Sequence, residues 1–170
     1  MNLAALGQSR RSLGGVRTQR YLADSPPALP SPVTVSVPRE NKQVPVVRRI
    51  GAAWLRQVCG MPEDRVETAL VVLSELLTNA VVHGAGPSVG YRSWSPQQGL
   101  VQIEIDDGTA MATPQPAQAQ PWDESGRGLF LVRVLVQELG GDWGFNATGT
   151  TAWCRLSIHS APTEGGRGDS

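Results

Sequence analysis

Glu75 and Asn79 stand four residues apart in the stretch Ser74-Glu75-Leu76-Leu77-Thr78-Asn79-Ala80-Val81-Val82-His83-Gly84. In a helix that spacing stacks them on one face, which Thr68, Val72 and His83 extend. The face borders a leucine- and alanine-rich stripe, so both polar groups would lie at the edge of a core. A carboxylate there is costly unless it is paired or bound to something. A solvated helix face would carry the same two residue types. A second candidate is Asp106-Asp107-Gly108, acids at the end of a β-patterned run; acid-then-glycine is also a common turn. A third is Gly126-Arg127-Gly128-Leu129, which opens a helix-like stretch. Glycines at a helix start let backbone N–H groups approach a phosphate, and the helix dipole favours the anion. Loop flexibility explains such a pair of glycines equally well.

The elements that must position these residues are readable from periodicity. Val33–Val37 alternates and is β-branched, a strand stopped by Pro38. Val44–Cys59 repeats apolar residues at helical spacing and ends at Gly60. Pro62-Glu63-Asp64 starts a second helix, with proline near the first position and acids in the first turn. Its stripe is Val66, Ala69, Leu70, Leu73, Leu76, Leu77, Ala80 and Val81. Strands follow near Val89–Trp94 and Leu100–Ile105, with a hairpin loop between them. Asp107–Ser125 is long and rich in Pro, Gln and Ala, the mark of a functional or disordered loop. Gly128–Leu139 reads as a third helix. Strands near Asp142–Phe145 and Thr151–Ile158 meet at Asn146-Ala147-Thr148-Gly149. The expected fold is α+β: a two-layer sandwich with a mostly antiparallel sheet and helices on one face. Residues 1–31 and 160–170 read as flexible arms around a folded unit at 32–159.

Composition sets the outer bounds. The chain has 170 residues with 15 basic and 15 acidic side chains, and this balance disfavours a strongly basic nucleic-acid binder. Its 40% hydrophobic content can supply a core. Of the basic residues only Lys42 is a lysine. No apolar run approaches the roughly 20 residues of a membrane span. Ser9-Arg10-Arg11-Ser12-Leu13 has the arginine pair of an export signal, but no apolar stretch follows it. Cys59 and Cys154 lack metal or redox spacing and read as small core residues in a reduced, cytoplasmic setting. The tryptophans Trp54, Trp94, Trp143 and Trp153 read as core or sheet-surface residues, and Trp122 falls in the long loop. His83 reads as a helix-end residue.

Taken in order, the Ser74–Gly84 helix, Asp106-Asp107-Gly108, Gly126-Arg127-Gly128-Leu129 and Gly149-Thr150-Thr151-Ala152-Trp153 resemble the four boxes of Bergerat-fold ATPases, which include histidine kinases and gyrase. The likeness is closest to the branch of bacterial anti-sigma factors with serine kinase activity, and it covers about Val33 to Ile158. The resemblance implies ATP and Mg²⁺ as ligands. Asn79 would coordinate the metal through its side-chain oxygen, and Glu75 would act as general base on an incoming hydroxyl. Asp106 would accept from the adenine amino group with support from Thr150 or Thr151, and Gly108 would let the backbone approach the base. Gly126, Arg127 and Gly128 would close over the phosphates, with Leu129 starting the helix and Ala110–Ser125 forming a lid. The family's Asp-x-Gly-x-Gly box has Ala110 in place of its second glycine here. That departure, the Pro/Gln-rich lid and Arg127 bear on kinase rate more than on nucleotide binding.

The resulting expectation is a bacterial regulatory protein kinase for serine or threonine. It would phosphorylate an anti-sigma-factor antagonist and bind a sigma factor, without direct contact to nucleic acid or membrane. The alternative is a non-catalytic, ATP-responsive protein-binding switch. The resemblance also implies a possible homodimer, with Val33–Cys59 as its surface.

Overall fold

The computed structural model describes residues 28–108 and 124–160. Five strands and three helices run in the order β1 (Val33–Pro38), α1 (Val44–Ala53), α2 (Glu63–His83), β2 (Ser88–Trp94), β3 (Leu100–Asp106), α3 (Glu124–Glu138), β4 (Asp142–Phe145) and β5 (Thr151–Ser157). The strands form one sheet in the order β1-β2-β3-β5-β4, and every neighbouring pair is antiparallel. The α+β architecture expected from the pattern is therefore the one found. The arms expected at residues 1–31 and 160–170 lie almost wholly outside the described residues.

Alternation divides the sheet into a dry face and an open one. Val89, Tyr91, Val101, Ile103, Ile105, Cys154 and Leu156 point to the dry face and join one core with Leu70, Leu73, Leu76, Leu77 and Ala80 of α2. Tyr91 and Ser93 are both buried and satisfy each other through the Ser93 hydroxyl, which donates to the Tyr91 hydroxyl at 2.7 Å. Gly51 of α1 sits against this pair. A Cβ there would stand 2.7 Å from Leu73 Cδ2, so the absent side chain permits the close approach of α1. On the open face Arg92 covers the Trp94 ring at 4.4 Å, and Arg155 donates to Gln102 Oε1 at 3.0 Å. Trp153 shares that face and lies over Gly144. Trp54 is buried and its indole N–H donates to the Ser31 carbonyl at 2.7 Å. Trp122 falls outside the described residues.

Three features differ from the sequence reading. The first helix is not uniform from Val44 to Cys59. After Ala53 it widens into a turn at Trp54–Val58, with Cys59 N–H bonded five residues back to the Trp54 carbonyl at 3.1 Å. The third helix begins at Glu124 rather than Gly128, so it absorbs the glycine pair. The second helix is the one described helix long and apolar enough to cross a membrane, with a mean hydropathy of 1.3. Its apolar stripe instead lies in the core.

Burial also fixes the thiols. It pushes Cys154, wholly enclosed, and Cys59, half enclosed, up to about 12. Both are protonated and unreactive at neutral pH, as their reading as core residues implied.

Candidate functional site

The site is built on α2. Pro62 precedes it, and Glu63 and Asp64 fill its first turn, where the helix dipole favours acids. It ends where Gly84 N–H closes on the Ala80 carbonyl at 3.0 Å. Leu73, Leu76, Leu77 and Ala80 are buried, which turns the flanking Glu75 and Asn79 to the border of the core, both half-buried. On the α1 side of the helix, Arg48 donates to the Ser74 hydroxyl at 3.1 Å, and Ser74 donates to the Leu70 carbonyl at 2.6 Å. On the α3 side, Glu75 meets Gly128. A Cβ at Gly128 would stand 2.7 Å from Glu75 Oε2, so the glycine leaves room for the carboxylate. Among the described residues neither Glu75 nor Asn79 is held by a side-chain hydrogen bond or ion pair. This is the arrangement that burial disfavours unless a ligand completes it.

The four residues of the third box sit inside α3, not in a loop before it. The N–H groups of a helix's first turn lack internal acceptors, and here they include those of residues 124–126. Gly126 thus lies at the anion-favouring end, whereas the Gly128 N–H has its acceptor within the helix. Arg127 is exposed, and Gly128 and Leu129 are half-buried. The sequence reading gave both glycines one role; the structure gives Gly128 the separate one of accommodating Glu75. Of the lid expected over Ala110–Ser125, only Glu124 and Ser125 are among the described residues, and they open α3.

The remaining predicted residues meet at the ends of β3 and β5. Asp106 pairs with Thr151 on one side and Gly90 on the other. It is exposed, and its carboxylate accepts the Gly108 N–H at 2.8 Å. Gly108 takes a φ of 67°, a left-handed conformation that suits glycine. Thr150 and Thr151 are organised by Asn146. Its Nδ2 donates to Thr150 Oγ1 at 3.0 Å and to Thr151 Oγ1 at 3.1 Å, and its Oδ1 accepts the Thr151 N–H at 3.2 Å. His83 is exposed in the last turn of α2, where a basic group faces the negative end of the dipole.

Two contributors escaped the sequence reading. Asn146 was visible only as a turn residue, and its spacing from the threonines gave no sign that it would clasp both. Arg39 follows β1 and closes the loop after α2. Its Nε donates to the Gly86 carbonyl at 2.8 Å and its Nη1 to the Val81 carbonyl at 3.1 Å. No local pattern predicts contacts across 47 and 42 residues.

The model of the histidine kinase-like ATPase domain family matches residues 37–156, which spans every element from the end of β1 to β5. The chain belongs to this family. It therefore carries an ATP-binding domain of the histidine-kinase-like type. No curated protein matches it.

Proposed function

We propose that this histidine kinase-like ATPase domain binds Mg·ATP at the seam between α2 and α3 and transfers the γ-phosphoryl group to a serine of a protein antagonist. The observation that carries this reading is the pair Glu75 and Asn79, half-buried, stacked on one face of α2 and without side-chain partners among the described residues, with Gly128 making room beside the carboxylate. The residues fit the ligand. Asn79 offers a neutral oxygen, a hard donor suited to Mg²⁺. Among the described residues there is no cluster of three or more His, Cys, Asp or Glu side chains, so the other ligands would be phosphate and water. Magnesium, when bound with ATP, neutralises phosphate charge. Glu75 takes the proton of the incoming serine hydroxyl as its oxygen bonds to the γ-phosphorus. The bond to the β-phosphate oxygen breaks, and ADP leaves. The N–H groups of the first turn of α3, that of Gly126 among them, would face the phosphates. At the other end, Gly108, Thr150 and Thr151 bound the base.

By its likeness to the anti-sigma branch, the second partner would be a sigma factor, bound in the cytoplasm by a homodimer. Phosphotransfer from labelled ATP to an antagonist recovered by co-purification tests the reading. Transfer by the wild type that disappears in Glu75→Ala supports it; transfer undiminished in Glu75→Ala rejects it. Ala110, where the family's box has its second glycine, favours the other reading, a switch that binds ATP without turnover. Tight ATP binding with no transfer to any co-purified partner would establish that instead.

A further inference from the structure

The loop that leaves α2 is gripped from two sides. On one side is Arg39, which follows β1. Its backbone N–H donates to the Pro87 carbonyl at 3.0 Å, its Nε to the Gly86 carbonyl at 2.8 Å and its Nη1 to the Val81 carbonyl at 3.1 Å. Val81 lies in the last turn of α2, where carbonyls run out of donors within the helix and the dipole favours a cation. One side chain thus ties the end of the helix to the loop beyond it.

On the other side is Asp107. Val101, Ile103 and Ile105 point into the core, so Asp106 points to the open face with Gln102 and Glu104. Asp107, the next residue, turns toward the helix layer. A Cβ on Gly84, the residue that caps α2, would stand 3.0 Å from Asp107 Cβ and 3.4 Å from Arg39 Cδ. Gly84 therefore lies between the two, and a side chain there would press on both. The Asp107 carbonyl accepts the Gly86 N–H at 3.4 Å, and the Asp107 N–H donates to the Thr150 carbonyl at 3.2 Å. A continuous series of bonds runs from Arg39 through Gly86 and Asp107 to Thr150.

We propose that Arg39 is a positioning residue for the nucleotide, setting the distance between the metal ligand on α2 and the strand ends that bound the base. The role rests on the nucleotide reading above. Asn79, the oxygen donor offered to Mg²⁺, stands two residues before Val81. Gly108 follows Asp107, and Thr150 is bonded to it. Arg39 holds one carbonyl on each side of this gap: Val81 in the helix, and Gly86 in the loop paired with Asp107. A ligand that reaches from phosphate to base gains most when the two ends of its site are already held at the right separation. Arg39 acts through these backbone groups rather than on the ligand. The planar guanidinium suits the task, because its rigid fork of donors can hold two carbonyls at once, a geometry that a lysine ammonium does not reproduce.

The test is a titration of the full chain with Mg·ATP, run beside hydrogen exchange of the backbone amides. Arg39→Met keeps much of the side chain's length and removes its donors. It should weaken Mg·ATP binding about tenfold, and the Gly86 and Asp107 amides should exchange faster than in the wild type. Arg65→Ala, which releases the start of α2 from the Leu139 carbonyl, is the control. It should lose stability yet keep wild-type affinity per folded molecule. Wild-type affinity in folded Arg39→Met overturns the proposal. An equal loss of affinity in Arg65→Ala also overturns it, because stability alone would then explain the effect. If thermal melting shows that Arg39→Met does not fold, Arg39→Lys decides the matter. It retains the charge without the fork and should still bind more weakly; wild-type affinity there overturns the role. A wild type that binds no Mg·ATP removes the nucleotide reading itself, and the role of Arg39 with it.

Discussion

The two ends of α2 both bring polar side chains to the edge of the core, and they treat them in opposite ways. Near the start, Arg65 is 7% exposed and fully engaged. Its guanidinium donates to the Leu139 carbonyl at 2.7 Å, to the Ser157 carbonyl at 2.9 Å and to the Ser160 hydroxyl at 3.2 Å. It fastens α2 to the end of α3 and the end of β5. Toward the other end, Glu75 and Asn79 are less buried but have no such partners among the described residues. Burial alone does not mark a site. A saturated polar group ties the fold together, whereas an unsaturated one at the edge of the same core is held ready for something else.

The largest effect should come from the unsaturated end. Glu75→Ala is expected to lower phosphotransfer by roughly 10²–10⁴-fold, the range of a positioned general base. Urea unfolding should show its stability little changed, since no hydrogen bond is lost. A large loss of stability would instead give Glu75 a structural role and break the contrast. Arg65→Ala should do the reverse. Removing it leaves buried carbonyls unsatisfied, at a cost of about 2–4 kcal/mol in urea unfolding. Transfer per folded molecule should be unchanged.

High pH should weaken both ends together, because the core beneath them holds the raised groups. Burial pushes Cys59, Cys154 and Tyr91 up to about 12. Well below pH 9 these groups are neutral whether the chain is folded or not. Above it the unfolded chain ionises first, so stability falls as pH climbs from about 9 toward about 12. Thermal melting across that window checks this, and Cys154→Ser should flatten the fall without altering its direction. The smallest effect is expected at Gly128. Gly128→Ala should raise stability by about 0.5–1 kcal/mol through helix propensity. Its new Cβ would displace the Glu75 carboxylate, so transfer should drop while melting temperature rises. The two readouts moving in the same direction would contradict the role given to that glycine.

Much of this was legible in the chain because it depends on neighbours in sequence. The stripe from Val66 to Val81 fixed both the second helix and which side of it is buried. The i, i+4 spacing then stacked Glu75 over Asn79 without further information. The hairpins β2–β3 and β4–β5 followed from short turns between alternating runs. Other features could not be read, because they depend on residues far apart. The widened turn after Ala53 arises where Trp54 is buried and bonded to Ser31. The clasp of Arg39 on the loop after α2 has no local signature. The span of α3 also escaped, because glycines at a helix start and glycines in a loop look alike in sequence.

The residues alone therefore determined the layers, the helix face and the types of group that could hold a charged ligand, since periodicity and spacing are local properties. Only the tertiary structure decided which strand lies beside which. β5 enters between β3 and β4, and that brings Thr150 against Asp107. It also decided which of two adjacent acids faces the helices. A sequence motif records that two aspartates stand side by side. The face each one takes is set by the ladder bonds and by the side chains already committed to the core.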